Sequence, residues 1–252
     1  MGKDTESGNF KTMSLGEHLE ELRYRLSMAI CGAVVGIIAC LCFGKILLRF
    51  MAKPYRDAMI AAKLEPQLQS IQLPEQFLVY VKTSLVFGII LSSPWIFYHL
   101  WKFASAGLYN HERRFTYAVA PASAILFTIG AFFFILVIAP LTIVFFIKFD
   151  TGIDFVKATP TLQSYMSFVL SLTLIFGLAF QMPIGIVFAE RMGLVQVATL
   201  AKARKFVILG LAIVAAIVTP PDVVSQVALA VPLYALFEGS ILVCKFLKKL
   251  KK

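Results

Sequence analysis

The chain has 252 residues, of which 59% are hydrophobic and 15% are charged, and its mean hydropathy is +0.83. Soluble domains average about 25% charged and 45–50% apolar residues, so this composition excludes an ordinary soluble protein and indicates an integral membrane protein. The net charge of +10 is explained by the Lys and Arg bias that orients membrane helices, and no nucleic-acid partner is expected.

The N-terminal region is predicted to contain a tail and then an amphipathic helix. Residues 1–13 are mostly small and polar, without the apolar run of a cleavable signal peptide, and are predicted to be a flexible tail. Ser14 and Glu17 fit a capping box. Four leucines then recur at the spacing of one helical face, namely Leu15, Leu19, Leu22 and Leu26. We therefore expect a cytoplasmic amphipathic helix that leads into the first membrane span.

Six apolar stretches are predicted to cross the membrane, for which a helix needs about 20 residues. The predicted spans cover residues 27–48, 76–103, 115–147, 160–189, 206–219 and 223–244. The third is long and lacks a turn signal, so it is predicted to be one helix that is tilted or kinked near Pro121. The last two are short and flank the turn TPPD, and such helices should thin the bilayer locally.

The distribution of Lys and Arg predicts the orientation. The N-terminal tail, the loops after spans two and four and the C-terminal tail together hold 16 of the 24 Lys and Arg residues, and the positive-inside rule places that side in the cytoplasm. The expected fold is an all-α integral membrane protein with six transmembrane helices and both termini cytoplasmic. Residues 14–247 form its single membrane domain, and residues 248–252 form a basic tail.

Two glutamates lie on a cytoplasmic side that is otherwise dominated by cations. Glu21 belongs to HLEELRYRL, and Glu112 belongs to the loop SAGLYNHERR. Local ion pairing is one interpretation, because Glu21 and Arg25 form an i,i+4 pair worth about 0.2–0.5 kcal/mol. The other is a receptor for a basic peptide, since a carboxylate that binds an external arginine gains roughly 1.5–3 kcal/mol. Spacing alone leaves both open.

Polar residues near or inside the predicted spans have two interpretations as well. In TPPDVVSQ, Asp222 could simply cap the last helix through the Ser225 N–H. Thr219 and Gln226 could also hydrogen-bond the membrane helix of a partner. Gln181 lies inside the fourth span, where a polar residue either bonds another helix or marks a functional site.

No catalytic or metal-binding pattern is present in the sequence. HExxH, GxSxG and P-loop motifs are absent, the three histidines lack metal-ligand spacing, and the four cysteines lie in apolar runs without C-x-x-C spacing. We therefore expect neither an enzyme nor a cofactor.

Four segments in the right order resemble TatC, the multispanning subunit of the twin-arginine (Sec-independent) protein translocase. They are HLEELRYRL before the first span, Pro54 after it, SSPWIFYHLWKFASAGLYNHERR, and TPPDVVSQ followed by PLYALFE. The likeness extends over residues 14–247. It implies a receptor for signal peptides with an Arg-Arg pair, in a translocase that moves folded proteins across the membrane with the proton-motive force.

The resemblance also implies roles for individual residues. The positions that match the family's signal-peptide site are Glu21, Arg23, Glu112, Phe103 and Leu108. Pro54 and Asp222 match far-side positions of functional importance, and Gln226 matches a position implicated in contacts with single-span partners. Many family members carry glutamate where this chain has Gln181, which can donate and accept hydrogen bonds but cannot carry a proton.

The implied setting is the bacterial inner membrane, with a multi-pass topology. The implied partners are twin-arginine signal peptides, single-span TatA/TatB-type subunits, membrane lipid and further copies of this chain. Two other functions stay open on the residues alone. Lys82 and Gln181 give some support to a secondary transporter or channel for small solutes. The basic segment CKFLKKLKK would suit a membrane scaffold that binds anionic lipid.

Overall fold

The computed structural model describes residues 15–106, 110–148, 160–218 and 223–250. This part of the chain is helical, and its only β-type pairing is an isolated bridge between Gln69 and Thr161. The helices are α1 (Leu15–Cys42), α2 (Gly44–Ala61), α3 (Glu75–Ala106), α4 (Asn110–Phe133), α5 (Ala139–Lys148), α6 (Leu162–Ala179), α7 (Met182–Arg191), α8 (Val197–Lys202), α9 (Arg204–Val218) and α10 (Val223–Leu250). A π-helical segment, Phe134–Ile138, joins α4 to α5. The predicted N-terminal tail and the capping residue Ser14 lie outside the described residues.

Five helical stretches in the described part are long and apolar enough to cross a membrane. They are Leu19–Cys42, Glu75–Ser105, Val119–Lys148, Leu162–Arg191 and Gln226–Lys249. The predicted fifth span corresponds to α9, whose 15 residues extend about 22 Å, against about 30 Å of hydrocarbon. The chain is therefore a multi-pass, all-α membrane protein, as the composition predicts, and the count of six spans stays a prediction.

The first span ends earlier than the predicted residue 48, because the helix breaks at Phe43. The Leu41 carbonyl accepts a hydrogen bond from the Tyr80 hydroxyl of α3. Gly44 lies so close to the Tyr80 ring that an added Cβ would stand 2.5 Å from Cε2. Glycine at position 44 thus lets α2 turn away directly beside α3, and α2 includes part of what the sequence assigned to an extramembrane loop.

The third span is one long helical stretch, as predicted, but its irregular turn lies in a different place. The α-helix continues through Pro121, whereas the π-helical segment precedes Pro140. There the Ala139 N–H donates to the carbonyl of Phe134, five residues earlier. Proline lacks an N–H and crowds the carbonyl four residues before it, here that of Leu136, so a wider turn relieves the crowding. The same helix also begins earlier than predicted, since HERR belongs to the start of α4.

The fourth span consists of two helices, α6 and α7. Thr161 follows Pro160 and caps α6 by accepting a hydrogen bond from the Ser164 N–H at 3.1 Å. The helix breaks at Phe180 and Gln181 and resumes with Pro183 in the first turn of α7, where a proline fits because the first-turn N–H groups lack helical partners. The break exposes the Gln181 side chain to neighbouring helices.

Gln181 and Trp101 both bind Ser123 of α4. The Gln181 amide nitrogen donates to the Ser123 carbonyl at 2.9 Å, and the Trp101 indole N–H donates to the Ser123 hydroxyl at 2.7 Å. Polar groups in a lipid environment need such partners, because water is not there to replace them. Gln181 thus bonds another helix and joins the fourth span to α3 and α4, and a functional role of this residue stays a prediction.

Aromatic side chains and small residues build the interior between α4 and α6. The rings of Phe134 and Phe176 are fully buried, with centroids 5.2 Å apart. Gly130 lies against the backbone of Phe176, where an added Cβ would stand 2.7 Å from its carbonyl oxygen. Membrane helices lack a hydrophobic driving force for association, so close packing at small residues supplies much of the attraction.

A buried carboxylate organises the segment between α2 and α3, which the sequence places on the far side of the membrane. Glu75 is only 2% exposed. Its Oε2 accepts the Ile71 N–H at 2.7 Å and the Gln72 N–H at 3.2 Å, and its Oε1 accepts the Gln163 N–H at 2.7 Å. Gln163 lies in the first turn of α6, where a negative charge also interacts favourably with the helix dipole. The isolated bridge just before α6 belongs to the same contact, so the far-side loop is fixed to the fourth span.

We predict that Glu75→Gln lowers the thermal unfolding midpoint by several degrees. The amide has only one acceptor oxygen in place of the two that bind three backbone N–H groups, and its NH₂ would face donors. Thermal unfolding in detergent, followed by the fluorescence of the chain's two tryptophans, measures the midpoint. Glu65→Gln is the matched control, because Glu65 bonds only the exposed side chain of Gln67. Equal midpoints for the two variants would contradict this account of Glu75.

We also predict that Gln181→Leu and Gln181→Glu both destabilise the protein, and that the glutamate is the worse substitution. Leucine only loses the interhelical hydrogen bond, worth about 0.6 kcal/mol on average in membranes. An ionised glutamate places a charge against the Ser123 carbonyl and cannot donate to it. The same thermal measurement ranks the three proteins. A glutamate variant as stable as the parent at neutral pH is the contrary result.

Candidate functional site

The predicted amphipathic helix and the first span form the single helix α1, which packs against α3. The Trp95 indole N–H of α3 donates to the Met28 carbonyl at 2.9 Å. Gly32 lies under the same ring, where an added Cβ would stand 2.1 Å from Cδ1. Only glycine allows that approach, so Trp95 and Gly32 fix how the start of α1 meets the end of α3. The leucine face of α1 is not part of this contact, since Leu19 and Leu26 are exposed.

Glu21 and Arg25 lie at the predicted cytoplasmic end of the α1–α3 contact. Their side chains are 19% and 17% exposed, and Arg25 Nη2 lies 3.4 Å from Glu21 Oε1. Glu21 Oε2 and Arg25 Nε are buried and have no hydrogen-bond partner. Glu20, in contrast, is exposed. The structure therefore distinguishes two adjacent glutamates that the sequence presents as equally acidic.

Arg23 lies on the outer side of the same helix. Its side chain is exposed, and its backbone carbonyl accepts a hydrogen bond from the Ser27 hydroxyl at 2.8 Å. Arg25, two residues later, is instead largely buried. Its guanidinium also lies over the ring of Tyr24, at 5.5 Å from the centroid. The two arginines of the motif thus have different surroundings.

His99 of α3 is a buried residue at this end that the sequence analysis did not single out. It is 5% exposed, and neither ring nitrogen has a hydrogen-bond partner. Its ring contacts those of Trp95 and Tyr98, with centroids at 4.7 and 5.3 Å. The nearby Lys102 ammonium donates to the Tyr98 hydroxyl at 3.3 Å. The only sequence signal for His99 as a site residue is its position four residues before Phe103, which places both on one helix face.

The remaining predicted cytoplasmic residues are placed less fully. Phe103 is half-buried near the end of α3. Glu112 belongs to the first turn of α4 and not to a loop. The side chain of Glu112 and the whole of Leu108 lie outside the described residues, as do Thr219 and Asp222 on the far side.

Pro54 lies within α2, next to the buried Tyr55. The Tyr55 hydroxyl donates to the carbonyl of Gln67 at 3.1 Å, and the buried Tyr165 of α6 donates to the carbonyl of Met51 at 2.8 Å. Burial raises the pKa of the Tyr55 hydroxyl, so it stays a neutral donor at physiological pH. Pro54 is therefore part of a helix that the far-side loop and the fourth span hold in place.

Gln226, near the start of α10, makes a hydrogen bond within the chain. Its amide nitrogen donates to the Ala212 carbonyl of α9 at 3.0 Å. Interhelical side-chain bonds of this kind hold membrane helices together. The contact joins α9 to α10. The prediction of a short last span is wrong, because α10 has 28 residues and its stretch Gln226–Lys249 is long enough to cross a membrane. A role of Gln226 toward a partner subunit stays a prediction.

A second ion pair links α9 to α10 at the predicted cytoplasmic side, and the sequence analysis missed it. Arg204 Nε lies 2.7 Å from Glu238 Oε1, and Arg204 Nη2 donates to Oε2 at 2.8 Å. The Tyr234 hydroxyl donates to Oε1 of the same carboxylate at 2.9 Å. Both oxygens of Glu238 thus accept a hydrogen bond, Oε2 from Arg204 and Oε1 from Tyr234, while the Arg204 Nε contact lacks hydrogen-bond geometry. No spacing rule connects two residues that are so far apart in the chain.

The cluster of Glu21, Arg25 and His99 has the chemistry of a guanidinium site. A carboxylate binds a guanidinium best through two parallel hydrogen bonds, one to each oxygen. At Glu238 both oxygens are engaged, whereas at Glu21 one oxygen has no partner and the other has a single long contact. Glu21 therefore has unused capacity for a second cation.

Comparisons with known proteins give one family. A family model described as Sec-independent protein translocase protein (TatC) matches residues 17–232. The chain is 39% identical to TatC of Desulforapulum autotrophicum, over 93% of this chain and 85% of the relative. It is 37% identical to TatCy of Bacillus subtilis, over 92% and 89%, and 33% identical to TatC of Escherichia coli, over 93% and 89%.

Two solved structures share the fold. A crystal structure described as the twin arginine translocase receptor TatC in DDM superposes with a TM-score of 0.80 at 33% identity, and covers 90% of this chain and 99% of that one. A second crystal structure of such a receptor gives a TM-score of 0.76 at 35% identity, with 91% and 99% covered. The sequence and the fold of this chain match those of the relatives over nearly the whole length of each protein. The chain therefore belongs to the TatC family of Sec-independent protein translocase proteins.

Proposed function

We propose that this chain is the signal-peptide receptor and core membrane subunit of a twin-arginine translocase in the bacterial inner membrane. The translocase moves folded proteins across that membrane with the proton-motive force. The single observation that carries the receptor role is the Glu21 carboxylate, which lies partly buried against α3 with one oxygen free of hydrogen bonds. The family membership of the chain supports the assignment to a translocase.

The chemistry of the ligand follows from the carboxylates. A guanidinium is planar and offers paired N–H groups to both oxygens of a carboxylate, whereas a lysine ammonium is a compact, more strongly hydrated point charge. Two adjacent arginines of a peptide need two carboxylates. Glu21 is the first, and Glu112, in the first turn of α4, is the proposed second. Phe103 and Leu108 are proposed to contact the apolar residues of the peptide, with Arg23 at the rim.

The proposed topology has six spans and both termini in the cytoplasm. The Lys and Arg distribution supports it, and α9 and α10 then form a short hairpin joined by Gln226 and by the Arg204–Glu238 pair. Pro54 and Asp222 lie on the far side in this arrangement. The partners are single-span TatA/TatB-type subunits, with Gln226 and Thr219 as contact residues, further copies of this chain, and lipid.

The transporter of small solutes is not favoured by any contact. It relied on Gln181 as a free polar group near the middle of the membrane, and that side chain hydrogen-bonds Ser123. Lys82, the other residue in its support, is exposed near the start of α3.

Glu21→Gln should weaken the binding of a twin-arginine signal peptide by about tenfold to a hundredfold. That range corresponds to the 1.5–3 kcal/mol of a hydrogen bond to a charged group. The measurement is the fluorescence anisotropy of a labelled Arg-Arg peptide with the full chain in lipid nanodiscs, with a Lys-Lys peptide as the ligand control.

Glu20→Gln is the matched control variant, because it removes the same charge one residue earlier from an exposed side chain. Its affinity should stay within about twofold of the parent, as expected for an exposed surface charge. If both variants lost the same affinity for the Arg-Arg peptide, the loss in Glu21→Gln would come from the net charge and not from a hydrogen bond to Glu21. A parent chain that binds the Arg-Arg and Lys-Lys peptides equally would refute the receptor function itself.

The topology is tested by accessibility of single cysteines in a background without the four native ones. We expect Leu194→Cys and Lys249→Cys to react with a membrane-impermeant maleimide only in inside-out vesicles, and Glu65→Cys only in right-side-out vesicles. All three positions are exposed. Because α9 and α10 lie between Leu194 and Lys249, labelling of these two positions from opposite sides would show that one of the helices does not cross.

A further inference from the structure

Buried polar atoms without partners are concentrated at the cytoplasmic end of the α1–α3 contact. Six such side-chain atoms occur in the described part of the chain, and four of them belong to just three residues. These four are Glu21 Oε2, Arg25 Nε, His99 Nδ1 and His99 Nε2. The great majority of buried polar groups in folded proteins are paired, so a cluster of exceptions requires an explanation.

We propose that Arg25 occupies the place of an arginine of the signal peptide. In the unbound protein it pairs with Glu21, and it moves to His99 when the arginine of the peptide binds the Glu21 carboxylate. This inference rests on the proposed receptor function and adds to it a residue exchange within the site. Of these three residues only Glu21 touches the ligand, and Arg25 and His99 act as positioning residues.

The Glu21–Arg25 contact has the properties of a pair that can be exchanged. It is a single contact of 3.4 Å, longer than the roughly 2.7–2.9 Å of a strong charge-assisted hydrogen bond. It leaves Glu21 Oε2 and Arg25 Nε without a partner, whereas both oxygens of Glu238 accept a hydrogen bond. An arginine from another chain can engage Oε1 and Oε2 together.

His99 provides the alternative partner that a displaced Arg25 needs. Moving a guanidinium away from its carboxylate in a partly buried position is unfavourable unless another acceptor is close. A neutral imidazole has one nitrogen that accepts a hydrogen bond, and the ring of His99 is held in place by Trp95 and Tyr98. Displacement of Arg25 toward α3 therefore satisfies its Nε–H and a histidine nitrogen in one step.

Arg25 is better suited than Lys102 to bind His99. The helices α1 and α3 are antiparallel, since Gly32 meets Trp95 and Gly44 meets Tyr80. Arg25, one turn before Met28, therefore lies at the level of His99, one turn after Trp95. Lys102 donates to the Tyr98 hydroxyl and lies over the Tyr98 ring at 5.4 Å from its centroid. The Arg25 Nε–H is buried without a partner, so Arg25 is the cation that gains a missing hydrogen bond when it contacts His99.

A double-mutant cycle on the full chain in nanodiscs tests the exchange, with the affinity for a labelled Arg-Arg peptide as the readout. The variants are Arg25→Gln, His99→Phe and the pair, and phenylalanine keeps the ring contacts while it removes both nitrogens. We expect Arg25→Gln to tighten binding severalfold, because the internal competitor is gone. His99→Phe should weaken binding by about fivefold in the parent and by less than about twofold beside Arg25→Gln, a coupling in the range seen for interacting side chains.

Two further variants keep the test decisive. Lys102→Gln removes a nearby positive charge that does not contact Glu21, and should tighten binding far less than Arg25→Gln. His99→Gln retains an acceptor and should bind like the parent, which separates the lost hydrogen bond from a damaged fold. Thermal midpoints of all variants check that the α1–α3 contact is intact.

The outcomes separate the two proposals. Additive effects of Arg25→Gln and His99→Phe, or weaker binding in Arg25→Gln, would overturn the exchange while the receptor function stands. A parent chain without preference for Arg-Arg over Lys-Lys would remove the receptor function and the exchange together. Coupled effects together with recovery in His99→Gln support the exchange.

Discussion

The close approach of α1 to α3 at Gly32 and Trp95 is the contact on which the cytoplasmic site depends. The Trp95 ring fills the space that a side chain at position 32 would occupy, and its N–H binds the Met28 carbonyl. This fixes the rotation of α1, so that Glu21 and Arg25 face α3 while Glu20 and Arg23 face away. The same ring packs against His99. One small residue and one aromatic side chain therefore set the surroundings of every charged group in the site.

The segment between α2 and α3, on the predicted far side, is held by a different means, namely hydrogen bonds to the backbone. Glu75 accepts backbone N–H groups from the loop before α3 and from the first turn of α6. Tyr55 and Tyr165 add hydrogen bonds to backbone carbonyls of the same region. Within the spans, by contrast, close packing of glycines and phenylalanines predominates, and the polar side chains Gln181, Ser123 and Trp101 bind one another or the backbone. This division follows from the lack of water in the bilayer interior.

The two carboxylate–arginine pairs on the predicted cytoplasmic side have different geometries and, we infer, different roles. Glu238 accepts one hydrogen bond on each oxygen, from Arg204 and from Tyr234, and lies close to the Arg204 guanidinium, which suits a permanent connection between α9 and α10. Glu21 has one long contact and one free oxygen. A receptor needs an acceptor that is held in place and incompletely satisfied, because a fully paired carboxylate would have to lose as many bonds as the ligand provides.

The sequence by itself determined the class of the molecule and its family. Composition and apolar run lengths indicate a multi-pass helical membrane protein, and the four ordered motifs identify TatC, since both are local properties that do not depend on how helices meet. The helix break at Phe43 and the π-helical turn before Pro140 depended on packing and on backbone crowding, and the sequence misplaced them. Only the tertiary structure showed the pairs of distant residues that hold the helices together, namely Glu75 with Gln163, Gln181 with Ser123 and Arg204 with Glu238. It also distinguished the partly buried Glu21 from the exposed Glu20, and it showed that His99 is buried. These choices depend on the relative rotation of helices that are distant in the chain, which is fixed by side-chain contacts that no periodicity encodes.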